Sequence, residues 1–426
     1  MNSRNSLLIY LIFLVAASSA CDQPSISAAK PLAELPATMS ASEILLQNAE
    51  NEVAKSPDEP RPLTNLAGIY VRRARETGDF SLNSKAESAV KRALELAPDD
   101  VTALKMEASL HLTYHRFSEG LEAGKNLKQK FPADSFVYGV LTDANVELGN
   151  YADAVESAQK MVDLKPNTSS YARVAHLRAL NGDDAGAIQM MKQAARAADP
   201  MDKEAQSWCL VQLGDVLLRT GKFAEAESVY DEALANFPDY YLAVAGKGKV
   251  RAALGDLAGA EKYLSDLQNR IPNAEVSSLL SEIYTIMNDP EKAERESGLL
   301  EIAEARLGVS GDQRTLALFW ADRDMRLPEA LAIAEREHAV RKDIYTADIY
   351  AWCLLKSGRT AEAKIAIDEA LRLKTNDARI FYHAGMIAKA ENDSRKARGF
   401  LERALKLNPA FDPAQSVIAR TTLTSL

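Results

Sequence analysis

The side chains best suited to chemistry in this sequence fall into a few short groups. His111 and His115 stand at i and i+4, the spacing that turns two imidazoles toward one metal ion from a single helix face. The segment HLTYH lacks the glutamate of a metalloprotease helix, and no cysteine, histidine or carboxylate follows at zinc-site spacing. Packed histidines are expected there, and no metal or other cofactor. Gly214–Lys222 (GDVLLRTGK) has the glycines and lysine of a phosphate-binding loop. It carries six residues between the glycines where four are needed, and Phe223 replaces the hydroxyl residue that holds magnesium. Cys209 and Cys353 each follow a tryptophan and are expected to be buried thiols. Asp322, Asp324 and Glu329 gather near Trp320, the one acidic group that could support hydrolysis, although charges beside a helix turn are usually a solvated face. No GxSxG, DxDxDG or strand-borne GxGxxG pattern occurs, so no nucleophile is activated in a recognisable way. The expectation is a chain that is not an enzyme.

Composition narrows the classes further. Of 426 residues, 47% are apolar and 26% are charged, close to globular averages of about 45–50% and about 25%. Lys and Arg number 51 against 60 Asp and Glu, for a net charge of −9. That balance argues against nucleic acid, which is held by clustered cations.

The elements that must position these residues begin after an address. Arg4 precedes an apolar run from Leu7 to Ala17, which as a helix spans ~17 Å, short of a ~30 Å hydrocarbon core. It reads as the core of a signal peptide over residues 1–20. Ser18-Ser19-Ala20-Cys21 resembles the lipobox of bacterial lipoproteins, with Ser18 where an aliphatic residue is usual. The resemblance implies acylation of Cys21 and a lipid-anchored protein of the cell envelope, facing the periplasm or the exterior. Plain secretion by cleavage at the same bond, an uncleaved anchor and a cytoplasmic scaffold are the alternatives. Residues 21–40, rich in Pro, Ser and Ala, read as a tether.

The remainder is one unit repeated. Pro98, Pro132, Pro166 and Pro200 lie 34 residues apart, and Pro238 and Pro272 continue the ladder. A second ladder of small residues runs from Ala86 through Gly120, Ala154, Ala187, Ala226, Ala260, Ala293, Ala330 and Ala363 to Ala397 with nearly the same period. Leu210, Leu213, Gly214 and Leu217 follow i, i+3, i+4, i+7 and share one helix face; Ala226, Tyr230 and Ala233 make the matching stripe on the next helix. Gly149, Gly182, Gly221, Gly255 and Gly358 sit where the first helix must end. Asp99, Asn167, Asp239 and Asn273 are placed to cap the next one. In the first repeat, GDFSLNSKAE is expected to form a loop with about seven extra residues.

Residues 207–238 (SWCLVQLGDVLLRTGKFAEAESVYDEALANFP) and 376–409 resemble the tetratricopeptide repeat, a helix–turn–helix unit. The resemblance covers about 60–426. It implies an all-α fold, an α-solenoid in which helical hairpins stack as a right-handed superhelix. The expected organisation is an array over 41–297, an irregular joint over 298–342 with a longer helix at roughly 290–307, a pair of repeats over 343–411, and a capping helix over 412–426. The family binds protein or peptide partners along a concave face lined by the first helices. By register, that face offers Trp208, Asp215, Arg219, Tyr345, Trp352, Lys356, Arg379 and Tyr382. Trp, Tyr and Arg are common interface anchors, though the aromatics could equally pack between repeats. Lys105 fits the clamp that some members close on a carboxylate, but Ser109 and Val140 stand where its asparagines would be. The function expected is a protein-binding scaffold, alternatively an accessory to envelope polysaccharide or peptide processing or to secretion.

Overall fold

A computed structural model describes residues 41–307 and 312–426. The signal-like segment, Cys21 and the tether lie outside the described residues. Those that are described form α-helices joined by short turns, with no strand among them.

The hairpin follows from where apolar residues fall. Lys203–Arg219 is buried almost all round, whereas its partner Phe223–Asn236 buries only Ala226, Tyr230 and Ala233. A first helix is thus covered on every side, and a second helix covers it with one stripe and meets water with the rest. The pattern recurs at Ser135–Glu147 with Tyr151–Leu164, at Thr168–Leu180 with Asp184–Ala197, and at Ala378–Ala390 with Ser394–Leu407. The small-residue ladder marks the crossings: Ala86, Ala154, Ala226, Ala330 and Ala397 are all fully buried. Gly214 and Gly246 press from two first helices onto the ring of Tyr230, leaving no room for a Cβ at either position.

Each turn glycine adopts the left-handed backbone that ends the first helix, with φ of 74° at Gly149 and Gly221 and 80° at Gly255. Second helices stop two residues before the proline ladder, at Leu96, Lys130, Leu164, Asn236 and Arg270. Capping departs partly from expectation. Asn167 and Asn273 do accept from the backbone of the following helix. It is Asp100 that accepts from Ala103 N, and Asp239 instead turns the chain with a φ of 59°. The expected long loop of the first repeat is also corrected: helices Pro60–Thr77 and Leu82–Leu96 are separated by 78–81 alone. Leu82, Asn83 and Ala86 are buried, and the extra length lies in the first helix, 18 residues against 13 in Ser135–Glu147.

The described residues form two compact units, 41–111 and 112–426. The first contains Ala41–Lys55 and the hairpin of Pro60–Thr77 with Leu82–Leu96. Tyr70 donates to Glu50 at 2.8 Å, and Arg73 pairs with Glu43 at 2.8 Å. In the second unit, the expected joint contains Pro290–Leu307, Arg314–Asp322 and Leu327–Val340; Gln415–Ser425 is its last helix.

Within this second unit the chain comes back on itself. Lys342 N donates to the carbonyl of Glu147 at 3.0 Å. Thr375 donates to the carbonyl of Leu180, 195 residues away. The Asn376 amide donates to Gly182 O and to Asp184, each at 3.0 Å. Asn408 donates to Leu218 O at 3.0 Å across 190 residues. The last carbonyls of a helix have no partner inside it; here the loops between later repeats supply one for three first helices in succession. The shift stays close to 190 residues at each step, so a later stretch of repeats lies in register along an earlier one.

Candidate functional site

The side chains expected along an open groove lie mostly inside. Trp208, Asp215, Arg219, Trp352, Arg379 and Tyr382 are all buried, and Tyr345 and Lys356 are half-buried. Arg219 pairs with Asp184 at 2.5 Å and donates to the carbonyl of Asn376 in the returning loop. Arg379 pairs with Asp412 at 2.9 Å, and Tyr382 donates to Gln415 at 2.7 Å. Trp352 stacks on His383 with ring centres 4.3 Å apart and donates its indole N–H to Asp322. The aromatic residues of the C-terminal third therefore form packing between repeats. Of the two readings of these aromatics, packing between repeats is the one these contacts describe for Trp352 and Tyr382.

The other groups of chemical side chains also resolve into structure. Asp322 accepts from Trp352, Asp324 pairs with Lys356 at 2.7 Å, and Glu329 points to solvent. Gly214 lies inside the Lys203–Arg219 helix, which no phosphate loop could be. The histidine pair is not on one helix: Val101–Thr113 ends before His115, whose φ is 57°. Burial pushes His115 down to about 4, with Arg341 adding to the effect. Cys209 and Cys353 are free and buried, and burial raises both thiols. Among the described residues no three His, Cys, Asp or Glu side chains gather as metal ligands.

Two polar sites remain. The first is a buried ionic group where the returning chain meets the Ser135–Glu147 helix. Arg341, 2% exposed, bonds Glu147 and lies 2.8 Å from Asp312. Arg314, 1% exposed, reaches Asp312 at 2.6 Å and donates to Thr346 at 3.0 Å. Burial alone would raise Asp312, but Arg314 and Arg341 outweigh it and hold the carboxyl well below the usual range. Glu147 goes the other way, to about 7, because burial outweighs Arg341. Glu304 is pushed to about 9 by burial, then by Asp312 and Glu337. None of Asp312, Arg314 or Arg341 fell in the expected groove, because they lie where the repeat pattern loosens.

The sign of the resulting pH dependence follows from those directions. An acid whose carboxyl is raised by folding stabilises fully below its unfolded value of about 4.3 and loses that contribution as pH climbs. Unfolding free energy is therefore expected to fall between pH 5 and 9, by at most about 1.4 kcal/mol per pH unit for one group. Glu304→Gln should flatten the upper part of that slope and raise the urea midpoint at pH 8. An unchanged slope in the variant would remove Glu304 from the explanation.

The second site is a cleft of about 30 Å³ across three consecutive first helices, lined by Asp215, Lys249 and Glu275 among apolar side chains. Asp215 accepts from the Tyr230 hydroxyl through Oδ1 at 2.7 Å, while its buried Oδ2 has no partner. Lys249 pairs with Glu275 at 3.5 Å. Burial raises the Asp215 carboxyl, with the Lys249 charge opposing it. Register reasoning found Asp215; Glu275 escaped it, being in the first turn of Ala274–Ile286.

The comparisons agree with this repeated architecture. Models of the tetratricopeptide repeat match residues 211–275 and 378–411. A model described as "Virulence factor membrane-bound polymerase, C-terminal" matches 137–213. No curated protein matches the chain. Among solved structures, the chain is similar to the Cut9–Hcn1 assembly of the APC/C, at 15% identity and a TM-score of 0.49, over 90% of this chain and 67% of that one. It is similar to PilW, a widely conserved type IV pilus biogenesis factor, at 17% identity and a TM-score of 0.41, over 47% and 91% of the two chains. A tetratricopeptide repeat protein from Parabacteroides merdae matches at 19% identity and a TM-score of 0.35, over 60% and 97%. Helical hairpins repeating every 34 residues, with both family models falling in register on them, make this chain a tetratricopeptide repeat protein.

Proposed function

We propose that this protein is a non-enzymatic scaffold of the bacterial cell envelope, anchored by an acylated Cys21 and binding a protein partner through its repeats. The observation that carries the reading is the tetratricopeptide stack itself: an architecture of this kind presents a long, rigid surface built from repeated units. The lipobox-like Ser18–Cys21 supports the anchor. No described helix is long and apolar enough to cross a membrane. With the aromatic candidates packed inside, the partner is expected on the exposed faces of the second helices.

A second reading, as an accessory of envelope polysaccharide assembly, is favoured by the match of residues 137–213 to the C-terminal part of membrane-bound polymerases. In both readings the protein carries no nucleic acid and no catalytic step.

The full chain, solubilised from membranes in mild detergent, tests the proposal by pulldown across a range of salt. A polypeptide enriched in fixed proportion, together with release of Cys21→Ser from the membrane fraction, is expected. A wild-type chain that is recovered alone, or a Cys21→Ser chain that stays membrane-bound, would contradict the binding and anchoring parts respectively.

A further inference from the structure

Successive first helices of the second unit pack side by side and run one way, so the turns that end them lie along one rim. Three of these turns, at Gly149, Gly182 and Gly221, are covered by loops that lead into later first helices, at Lys342, Lys374–Asn376 and Leu407–Asn408. The next two, at Gly255 and Asn288, are bare. A Cβ at Gly255 would meet nothing within 4 Å. The carbonyls of Ala253 and Ile286 stand two positions before the turn, as Glu147 and Leu180 do, yet accept from no other described residue. These bare turns are also apolar. Leu254, Ile286 and Met287 are each about half exposed, whereas the later turns at Gly358 and Asn392 are preceded by the polar Ser357 and Glu391. The last helix borders the same place. Ala414 N donates to Glu282 at 2.8 Å and the Gln415 amide donates to the carbonyl of Asp322 at 3.4 Å. Val417, Ile418 and Met325, also about half exposed, lie within one helical turn of those contacts. Exposed apolar surface gathered in this way marks an interaction site. We propose that the rim at Leu254, Ile286 and Met287 is a self-association seat, which receives the loop at Met201 of a second copy of this chain.

What already covers the rim selects the occupant. Each covered turn takes a loop of this chain that leads into a first helix, so another such loop has the shape the bare turns need. Among the remaining loops of that kind, only the one at 199–202 exposes a large apolar side chain: Met201 is 83% exposed, more than any other large apolar residue described. The loop is held in one form, because Met201 N donates to the Asp199 carboxylate at 2.9 Å and Asp202 N to the Asp199 carbonyl at 2.9 Å. Little ordering entropy is then lost on docking. An unbranched thioether fits an irregular apolar seat. Every copy carries one loop and one seat, so the contact is heterologous, the loop of one chain resting on the rim of the next. It is separate from the second-helix faces and leaves them open to another partner.

Analytical ultracentrifugation of the full chain in density-matched detergent tests the assignment. At micromolar concentration the wild-type chain is expected to sediment as more than one copy. Leu254→Lys, Met287→Lys and Met201→Asp should each weaken association at least about tenfold, the usual result of losing an interface anchor. A cation at a helix C-terminus and an anion before a helix N-terminus suit those places, so the melting temperature should stay at the wild-type value. Ile365, 72% exposed on Thr360–Ala370, is the control: Ile365→Lys should associate as the wild type does. Met201→Asp leaves the rim intact and Met287→Lys leaves the loop intact, so mixing the two chains should restore a complex containing both. A wild-type chain that sediments as a single copy, an Ile365→Lys chain weakened as much as Met287→Lys, or no recovery on mixing would overturn the proposal. A single-copy wild-type chain whose membrane partner is lost on Met287→Lys would give the rim to that partner, and self-association would again be overturned.

Discussion

Arg341→Met is expected to destabilise the protein by about 3–5 kcal/mol, the usual consequence of removing one partner from a buried ionic group. Methionine fills most of the volume, so the loss is electrostatic. Glu147, Asp312 and Asp343 would remain without the guanidinium that lies against all three. Arg314 would still hold Asp312 at 2.6 Å, which leaves Glu147 as the acid most exposed to the change. Adding Glu147→Gln should recover part of the loss, because it removes a carboxyl that burial already pushes up to about 7. The two losses should therefore not add, as holds for residues in direct contact. Urea unfolding of the two single variants and the double variant reads this directly. Arg359 is the natural control: it pairs with Glu335 and Glu362 at the surface, where such contacts contribute about 0–1 kcal/mol. Equal losses at Arg341 and Arg359 would show that the internal group carries no special weight.

Much of the hairpin stack was legible in the sequence because its determinants are local. A 34-residue proline ladder, small residues at the crossings and a glycine at each turn all act within one unit and its neighbour. Gly149, Gly182, Gly221, Gly255 and Gly358 each take the left-handed backbone they were expected to take. The concave face was not legible, for a physical reason. Whether Arg219 meets water depends on whether a later stretch of chain returns to cover it. That depends on small rotations accumulated over several repeats, which no single repeat encodes. Thr375, Asn376 and Asn408 read as ordinary loop residues, yet they supply the donors that close the ends of earlier helices. The same limit applies to charge. Glu147 ends a first helix, but its partner Arg341 is 194 residues distant, in a stretch where the repeat is hard to follow. Asp215 was found because its register position holds; its free oxygen could be seen only once Tyr230 and Lys249 were in place.

Later loops are seated on the turns of earlier repeats, and the turn glycines test this against internal controls. Gly149, Gly182 and Gly221 have φ of 74°, 76° and 74°; Gly255 and Gly358 have 80° and 77°. Alanine at any of them meets the same left-handed cost of about 1–2 kcal/mol. The surroundings differ. A Cβ at Gly149 would lie 2.5 Å from the carbonyl oxygen of Lys342, at Gly182 2.7 Å from that of Lys374, and at Gly221 2.8 Å from that of Leu407. At Gly255 and Gly358 it would meet nothing within 4 Å. Overpacking against backbone adds about 1–3 kcal/mol. Urea unfolding of the five alanine variants is therefore expected to separate them into two classes. Gly149→Ala, Gly182→Ala and Gly221→Ala should lose about 2–5 kcal/mol, and the other two about 1–2 kcal/mol. Five equal losses would mean that the later loops do not rest on those turns, and the return of the chain onto its earlier repeats would have to be given up.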